Sequence, residues 1–315
     1  MMRMKLAAAL LPLVLAAAPA AAQPVAAAQP APAAAPAGLT QMEHVSIEGV
    51  GSGPPLVLIP GLATPREVYR PFVAELARTH RVLLVQLNGF GGDAARGNAR
   101  PAILPGAVAN IARYLEQNRL PRAAIVGHSM GGVIGMLLAR DHPARLDRLM
   151  IVDSLPFFGA LMGTDQTPDR LRPTAEMLRQ AIRGGAGRRG EASADDPGVA
   201  TMATSPEAKL QVSRWSRAAD QSVVAQAMYE TALTDLRSDL PAISRTPTTV
   251  LYAAPPAAAE RARALWTGEY GRAPQIRLVG VENSYHFIMM DQPERFRAEL
   301  RRFLQAPARD NGERG

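Results

Sequence analysis

The chain has 315 residues, 47% of them apolar, enough for one large α/β domain carrying an insertion and too many for a disordered polymer. Its formal charge is +7, but the cations are nearly all arginines (Lys5 and Lys209 are the only lysines) scattered among carboxylates, and no basic stripe interleaves with aromatics as a nucleic-acid partner would require. The absence of cysteine removes thiol catalysis, disulfides, Cys-ligated zinc and a lipid anchor on an N-terminal cysteine.

In chain order, Arg3 and Lys5 precede an apolar run from Leu6 to Ala18 and a small-residue stretch, Ala20-Ala21-Ala22. This is the layout of a secretory signal cleaved before Gln23, and the run is too short to span a bilayer. The expected location is therefore periplasmic or extracellular, with no stable membrane insertion after cleavage. Residues 23–38 are Ala/Pro-rich, with Pro24, Pro30, Pro32 and Pro36 blocking helix, so a solvated linker is expected.

Short apolar runs then alternate with amphipathic ones, the signature of a mainly parallel sheet with crossover helices. Strands are predicted at 56–59, 82–87, 123–126 and 149–152, with helices at 65–79, 107–118 and 130–141 between them. From Ser154 to Arg245 the pattern is helical (171–183, 206–219, 221–236), interrupted by the Gly/Arg-rich stretch 184–198 that holds Arg188-Arg189. Alternation resumes with a strand at 248–253, a helix at 257–266, a strand at 275–279 and a helix at 292–304. The predicted organisation is a core of residues 39–153 and 246–305 around a helical lid, 154–245, with a disordered tail, 306–315.

Gly127-His128-Ser129-Met130-Gly131-Gly132 joins the buried strand at 123–126 to the helix that follows. A strand-to-helix turn this tight strains the serine backbone, needs glycine on either side, and lifts the hydroxyl above the carboxyl edge of the sheet near a helix N-terminus. Ser129 is the candidate nucleophile. Of the five histidines, His44, His80 and His142 read as surface residues, and His128 points away from the serine. His286, in the loop after the last strand, is the candidate base.

These segments resemble the α/β-hydrolase superfamily over residues 43–305, in particular its lid-bearing, single-domain branch of esterases and carbon–carbon bond hydrolases. The resemblance implies an α/β-hydrolase fold, with Leu58-Ile59-Pro60-Gly61-Leu62-Ala63 as the oxyanion loop, although Pro60 stands where His is commoner. The oxyanion donors would be the backbone amides of Leu62 and Met130. The usual acid follows the strand at 248–253, but here that site reads Ala254-Pro255-Pro256-Ala257. Asp153, at the alternative acid position after the preceding strand, is the first candidate and Glu260 the second. A chain with no acid, keeping the fold as a non-catalytic binding protein, is the third reading.

A serine nucleophile sets the chain apart from the dehalogenases and epoxide hydrolases of this fold, which attack with Asp. No ligand-spaced His/carboxylate cluster suggests a metal, and no cofactor is implied. Leu155, Phe157, Phe158, Leu161, Met162, Met177, Met202, Trp215 and Met228 make the insertion apolar and methionine-rich, favouring an apolar acyl or aromatic small-molecule substrate. The expected activity is carboxylic-ester hydrolysis, the alternatives being carbon–carbon hydrolysis or cofactor-free peroxidase chemistry on the same triad.

Overall fold

The structure, a computed structural model, describes residues 38–163, 165–185 and 191–306. The expected signal and most of the linker, Arg188-Arg189, and the tail beyond residue 306 lie outside the described residues.

Strand β3 (Pro55–Ile59) is buried along its whole length. Val57 and Ile59 pack into one apolar layer and Leu56 and Leu58 into the other, so both faces of the strand are covered. That is why its sequence is a continuous apolar run rather than an alternation. Strands β4 (Arg81–Leu87), β5 (Ala123–His128), β6 (Leu146–Val152) and β7 (Thr248–Ala254) likewise contribute side chains to both layers. Strand β8 (Arg277–Glu282) forms one edge and alternates between buried and accessible positions. It begins two residues later than predicted because Ile276 closes a turn onto the Ala273 carbonyl.

Two strands precede those predicted, β1 (Leu39–Gln41) and β2 (Val45–Val50). The sheet order is β1-β2-β4-β3-β5-β6-β7-β8, with β1 and β2 antiparallel and the remainder parallel. Helices flank both faces: α1 (Arg70–Leu76), α2 (Ile103–Gln117), α3 (Met130–Asp141), α4 (Pro168–Arg183), α5 (Pro206–Ala218), α6 (Gln221–Leu233), α7 (Leu240–Ile243), α8 (Ala259–Glu269), α9 (Ile288–Asp291) and α10 (Pro293–Gln305). The helix expected at 65–79 is a 3₁₀ turn over Arg66–Tyr69 running into α1, with Pro71, which has no N–H to donate, placed in the first turn of α1. His44, expected at the surface, is half-buried, its Nδ1 2.7 Å from Asn98 Oδ1.

Among the described residues, α4 to α7 lie between β6 and β7, and they attach to the sheet unevenly. Helix α6 is rooted: the Asp220 N–H preceding it donates to the Gly89 carbonyl (2.7 Å), and Val223 sits where a Cβ on Gly89 would fall within 2.7 Å. Glu230 of α6 accepts from the amides of Ala102, Ile103 and Leu104 (2.8, 3.1 and 2.9 Å) at the start of α2. The residue before α2, Ala102, is left-handed (φ 74°) and has no capping side chain, so a carboxylate from far along the chain satisfies the orphan donors. Glu230→Ala is expected to lower stability by about 1–2 kcal/mol, read as the shift in a urea unfolding midpoint at unchanged slope.

Candidate active site

Three residues just past the strand ends share one geometry. The N–H of Ser129 donates to the Val152 carbonyl (2.9 Å), that of Asp153 to Leu251 (2.7 Å), and that of Asn283 to Ala254 (3.1 Å). Each pairs with the neighbouring strand and then turns through a left-handed conformation, at φ 54°, 46° and 54°. Ala63, four residues past β3, is also left-handed (φ 55°). Four of the seven non-glycine residues with positive φ among the described residues thus lie at one edge of the sheet, where backbone strain marks a functional site.

The glycines around Ser129 are set by contact. A Cβ on Gly127 would lie 2.1 Å from the Gly131 carbonyl oxygen, one on Gly131 2.3 Å from the Ile59 oxygen, and one on Gly132 2.6 Å from Ser154 Cβ. Strand β5, helix α3 and the loop after β3 therefore pack backbone against backbone. Met130 is the first residue of α3, so its N–H is one of the helix's orphan donors and carries the positive end of the macrodipole. Leu62 lies in the turn after Gly61, half-buried, with its carbonyl accepting from Thr64 Oγ1 (3.0 Å).

His286 comes to the same edge. Its Nδ1 is 2.7 Å from Asp153 Oδ2, while Asp153 Oδ1 accepts from the Ala253 N–H at 2.8 Å. The aspartate is therefore held by the strand that in the resembled branch would carry the acid itself. Glu260, the second candidate, lies exposed in the first turn of α8. Ser129 and His286 each follow a strand at this edge of the sheet, and the Ser129 hydroxyl makes no hydrogen bond to the His286 ring.

His128 does more than face away from the serine. It is fully buried, its ring 4.6 Å from that of His286 between centroids, and its Nε2 is 2.9 Å from the His286 carbonyl. A carbonyl only accepts, so Nε2 carries the proton and Nδ1, buried without a partner, is the lone pair. Burial first, and then the charge of His286, hold its pKa well below the ordinary histidine value, so the ring stays neutral. Tyr270, also buried, donates from its hydroxyl to the Ser154 carbonyl (2.5 Å), and burial together with the charge of Asp153 pushes its phenol well above the ordinary range.

The apolar residues of the insertion divide by environment. Phe157 is fully buried in a small cluster with Leu171, Ala175 and Ala232, whereas Met177 is 63% exposed. Met202 and Trp215 pack against the layer that holds Phe287, beside His286. Among the described residues no group of three or more His, Asp or Glu could hold a metal ion, and no helix is long and apolar enough to cross a membrane.

A parallel sheet with a strained strand-to-helix serine and a His–Asp pair at its carboxyl edge defines the architecture of an α/β-hydrolase. The chain belongs to the alpha/beta hydrolase family, whose pattern it matches over residues 56–299. It is 36% identical over 124 residues to a pimeloyl-[acyl-carrier protein] methyl ester esterase of Aeromonas hydrophila, covering 39% of this chain and 46% of that protein. It is 31% identical over 112 residues to a putative carbamate hydrolase of Variovorax paradoxus, covering 35% and 42%. These matches span less than half the length of those relatives. Among solved structures, a thermophilic esterase from Thermogutta terrifontis superposes with a TM-score of 0.69 at 22% identity, over 84% of this chain and 97% of that one. An enol-lactonase from Burkholderia xenovorans gives 0.64 at 20%, over 82% and 96%.

The neutral His128 has a measurable consequence. In the unfolded chain it takes up a proton below about pH 6.5, whereas the folded state resists, so its contribution to stability is complete above that pH and falls as the pH drops. Comparing urea unfolding at pH 7.5 and pH 5.5, wild type should lose more stability than His128→Asn, the excess approaching about 1.4 kcal/mol per pH unit below pH 6. Parallel losses in the two proteins would show that His128 titrates normally.

Proposed function

We propose that the protein is a serine hydrolase that cleaves a carboxylic ester through an acyl-enzyme. The observation that carries this reading is the 2.7 Å contact between His286 Nδ1 and Asp153 Oδ2 at the sheet edge where Ser129 is held in its left-handed turn. With Nδ1–H donated to the carboxylate, His286 presents Nε2 as a base. Ser129 Oγ attacks the ester carbonyl and passes its proton to Nε2, and the amides of Leu62 and Met130 receive the oxyanion, each worth about 3 kcal/mol in the transition state. The imidazolium then protonates the departing alkoxide. Water, deprotonated by the same nitrogen, releases the acid and restores Ser129. Catalytic hydrogen bonds in unliganded sites are often open, and the Ser129–His286 bond closes as substrate binds.

Asp153 as the acid removes the motive for a non-catalytic reading, which rested on the lack of a carboxylate after β7. The similarity to a protein named as a methyl ester esterase supports this bond class. Met202 and Trp215 beside the His286 loop favour an apolar acyl or aromatic group, with the helices between β6 and β7 as a lid. A fluorophosphonate probe should label wild type and leave Ser129→Ala unlabelled; labelling that survives that change rejects the nucleophile. Asp153→Asn should lower kcat on a p-nitrophenyl ester by about 10³–10⁴-fold, and full turnover in that variant rejects the acid. A substrate panel including a vinylogous diketone separates ester from carbon–carbon cleavage.

We further propose that the chain is exported and matures near Gln23. Mass spectrometry of the periplasmic fraction should find that N-terminus, and an intact Met1 there would refute the proposal.

A further inference from the structure

The loop that carries His286 is tied on every side. The Asn283 carbonyl accepts from Gln292 Nε2 (2.9 Å), and the His286 carbonyl accepts from His128 Nε2 (2.9 Å). The two amides flanking His286 are held through other contacts. The Tyr285 N–H donates to Asp291 Oδ2 (2.7 Å), and the Phe287 N–H donates to the Met202 carbonyl (2.8 Å). Met202 lies in the segment that leads into α5, two residues before Thr204. Thr204 returns to the same carboxylate: its N–H and Oγ1–H both donate to Asp291 Oδ1, at 2.8 and 2.9 Å. Asp291 thus spends one oxygen on the histidine loop and the other on the segment before α5. Trp215 of α5 closes the connection, its ring 6.2 Å from that of Phe287, which in turn lies 5.6 Å from the His286 ring.

We propose that Asp291 is a positioning residue that couples the docking of the 200–218 segment to the placement of the His286 imidazole. This rests on the reading of His286 as the base. The physical reason is economy of constraint. A loop residue has no ladder to fix it, so its side chain is only as well placed as its flanking amides, and a misplacement of about 1 Å costs a base up to about 100-fold. Asp153 and His128 restrain His286 itself; Asp291 restrains the residue before it and Met202 the residue after it. When the 200–204 segment lifts, the Met202 and Thr204 bonds go together, and of the two bonds to the amides flanking His286 the Tyr285 one remains. Docking of that segment therefore completes the base, and a substrate that holds it down improves its own turnover.

The test uses the full-length protein and p-nitrophenyl acetate, an ester small enough to need little contact with the insertion. Turnover is expressed per active site titrated with fluorophosphonate, so that misfolded protein does not count. Asp291→Ala should lower kcat about tenfold or more while KM stays within about twofold. Thr204→Val, which keeps the side-chain shape and removes one donor, should lower kcat about two- to threefold in the same sense. Unchanged kcat per titrated site in Asp291→Ala overturns the proposal. If Asp291→Ala does not fold, Thr204→Val decides alone, and wild-type kcat there overturns the coupling. If Asp291→Ala is impaired but Thr204→Val is not, Asp291 acts through Tyr285 only and the link to the insertion is refuted. Ser129→Ala serves as the control: residual turnover in that variant counts against the serine mechanism itself, separately from Asp291.

Discussion

The site depends on three backbone hydrogen bonds that carry the chain one residue past the end of a strand before it turns. Ser129, Asp153 and Asn283 each donate an N–H to the adjacent strand and then turn at positive φ. Such a backbone costs about 1–3 kcal/mol for a residue with a Cβ, and the sheet bond and surrounding packing offset it. In return the Cα positions are those of a rigid eight-stranded sheet rather than of loops. A side chain rooted this way has little freedom beyond its own rotamers, which is what a preorganised site needs. The absent Cβ atoms on Gly127 and Gly131 belong to the same constraint, since the turn closes only if backbone can touch backbone there.

That geometry also explains how the carboxylate can come from β6. Strand β7 ends in Ala254-Pro255-Pro256, which offers no carboxylate, but its Ala253 N–H is free to point at the neighbouring strand end and is taken by Asp153 Oδ1. One oxygen is oriented by the sheet and the other by the imidazole, so the aspartate has no low-energy alternative position. The strand with no carboxylate of its own contributes the backbone donor that aims the one paired with His286. Glu260, on an exposed helix turn, has no comparable restraint.

What could be read from the sequence was local. The apolar runs marking β3 to β7 and the Gly-x-Ser-x-Gly-Gly turn are patterns of adjacent residues, and periodicity finds them. Strands β1 and β2 were not legible, because Leu39, Val45, Ile47 and Val50 are spaced through a stretch that otherwise reads as polar loop; β2 forms by pairing with β4, and β1 by pairing with β2. The residues that tie the site together were not legible either. His128 reads as the variable position of the elbow, and its bond to the His286 carbonyl spans 158 residues. Asp291 reads as an ordinary helix-entry carboxylate, and Glu230 does not stand out among its neighbours. Nothing in their neighbours announces a partner 87 or 128 residues away. Polar side chains that bond to distant backbone leave no periodic signal, because they answer to the fold and not to the element they sit on.

The insertion was read as one unit from 154 to 245, yet its attachments divide it. Helix α6 supplies the carboxylate that satisfies three amides at the start of α2 and sits against Gly89, and α4 packs on α6. Moving α6 would strip the cap from α2 and open the core beneath it. The segment from 200 to 218 is held differently, by hydrogen bonds to the His286 loop, the contact of Trp215 with Phe287, and the burial of Val212 in the apolar layer that holds Phe287. Each of these bonds contributes about 1 kcal/mol net, and Val212 adds apolar burial in the same layer. On the proposed reading of His286 as the base, the half of the insertion that touches the histidine is the half whose displacement would loosen that base.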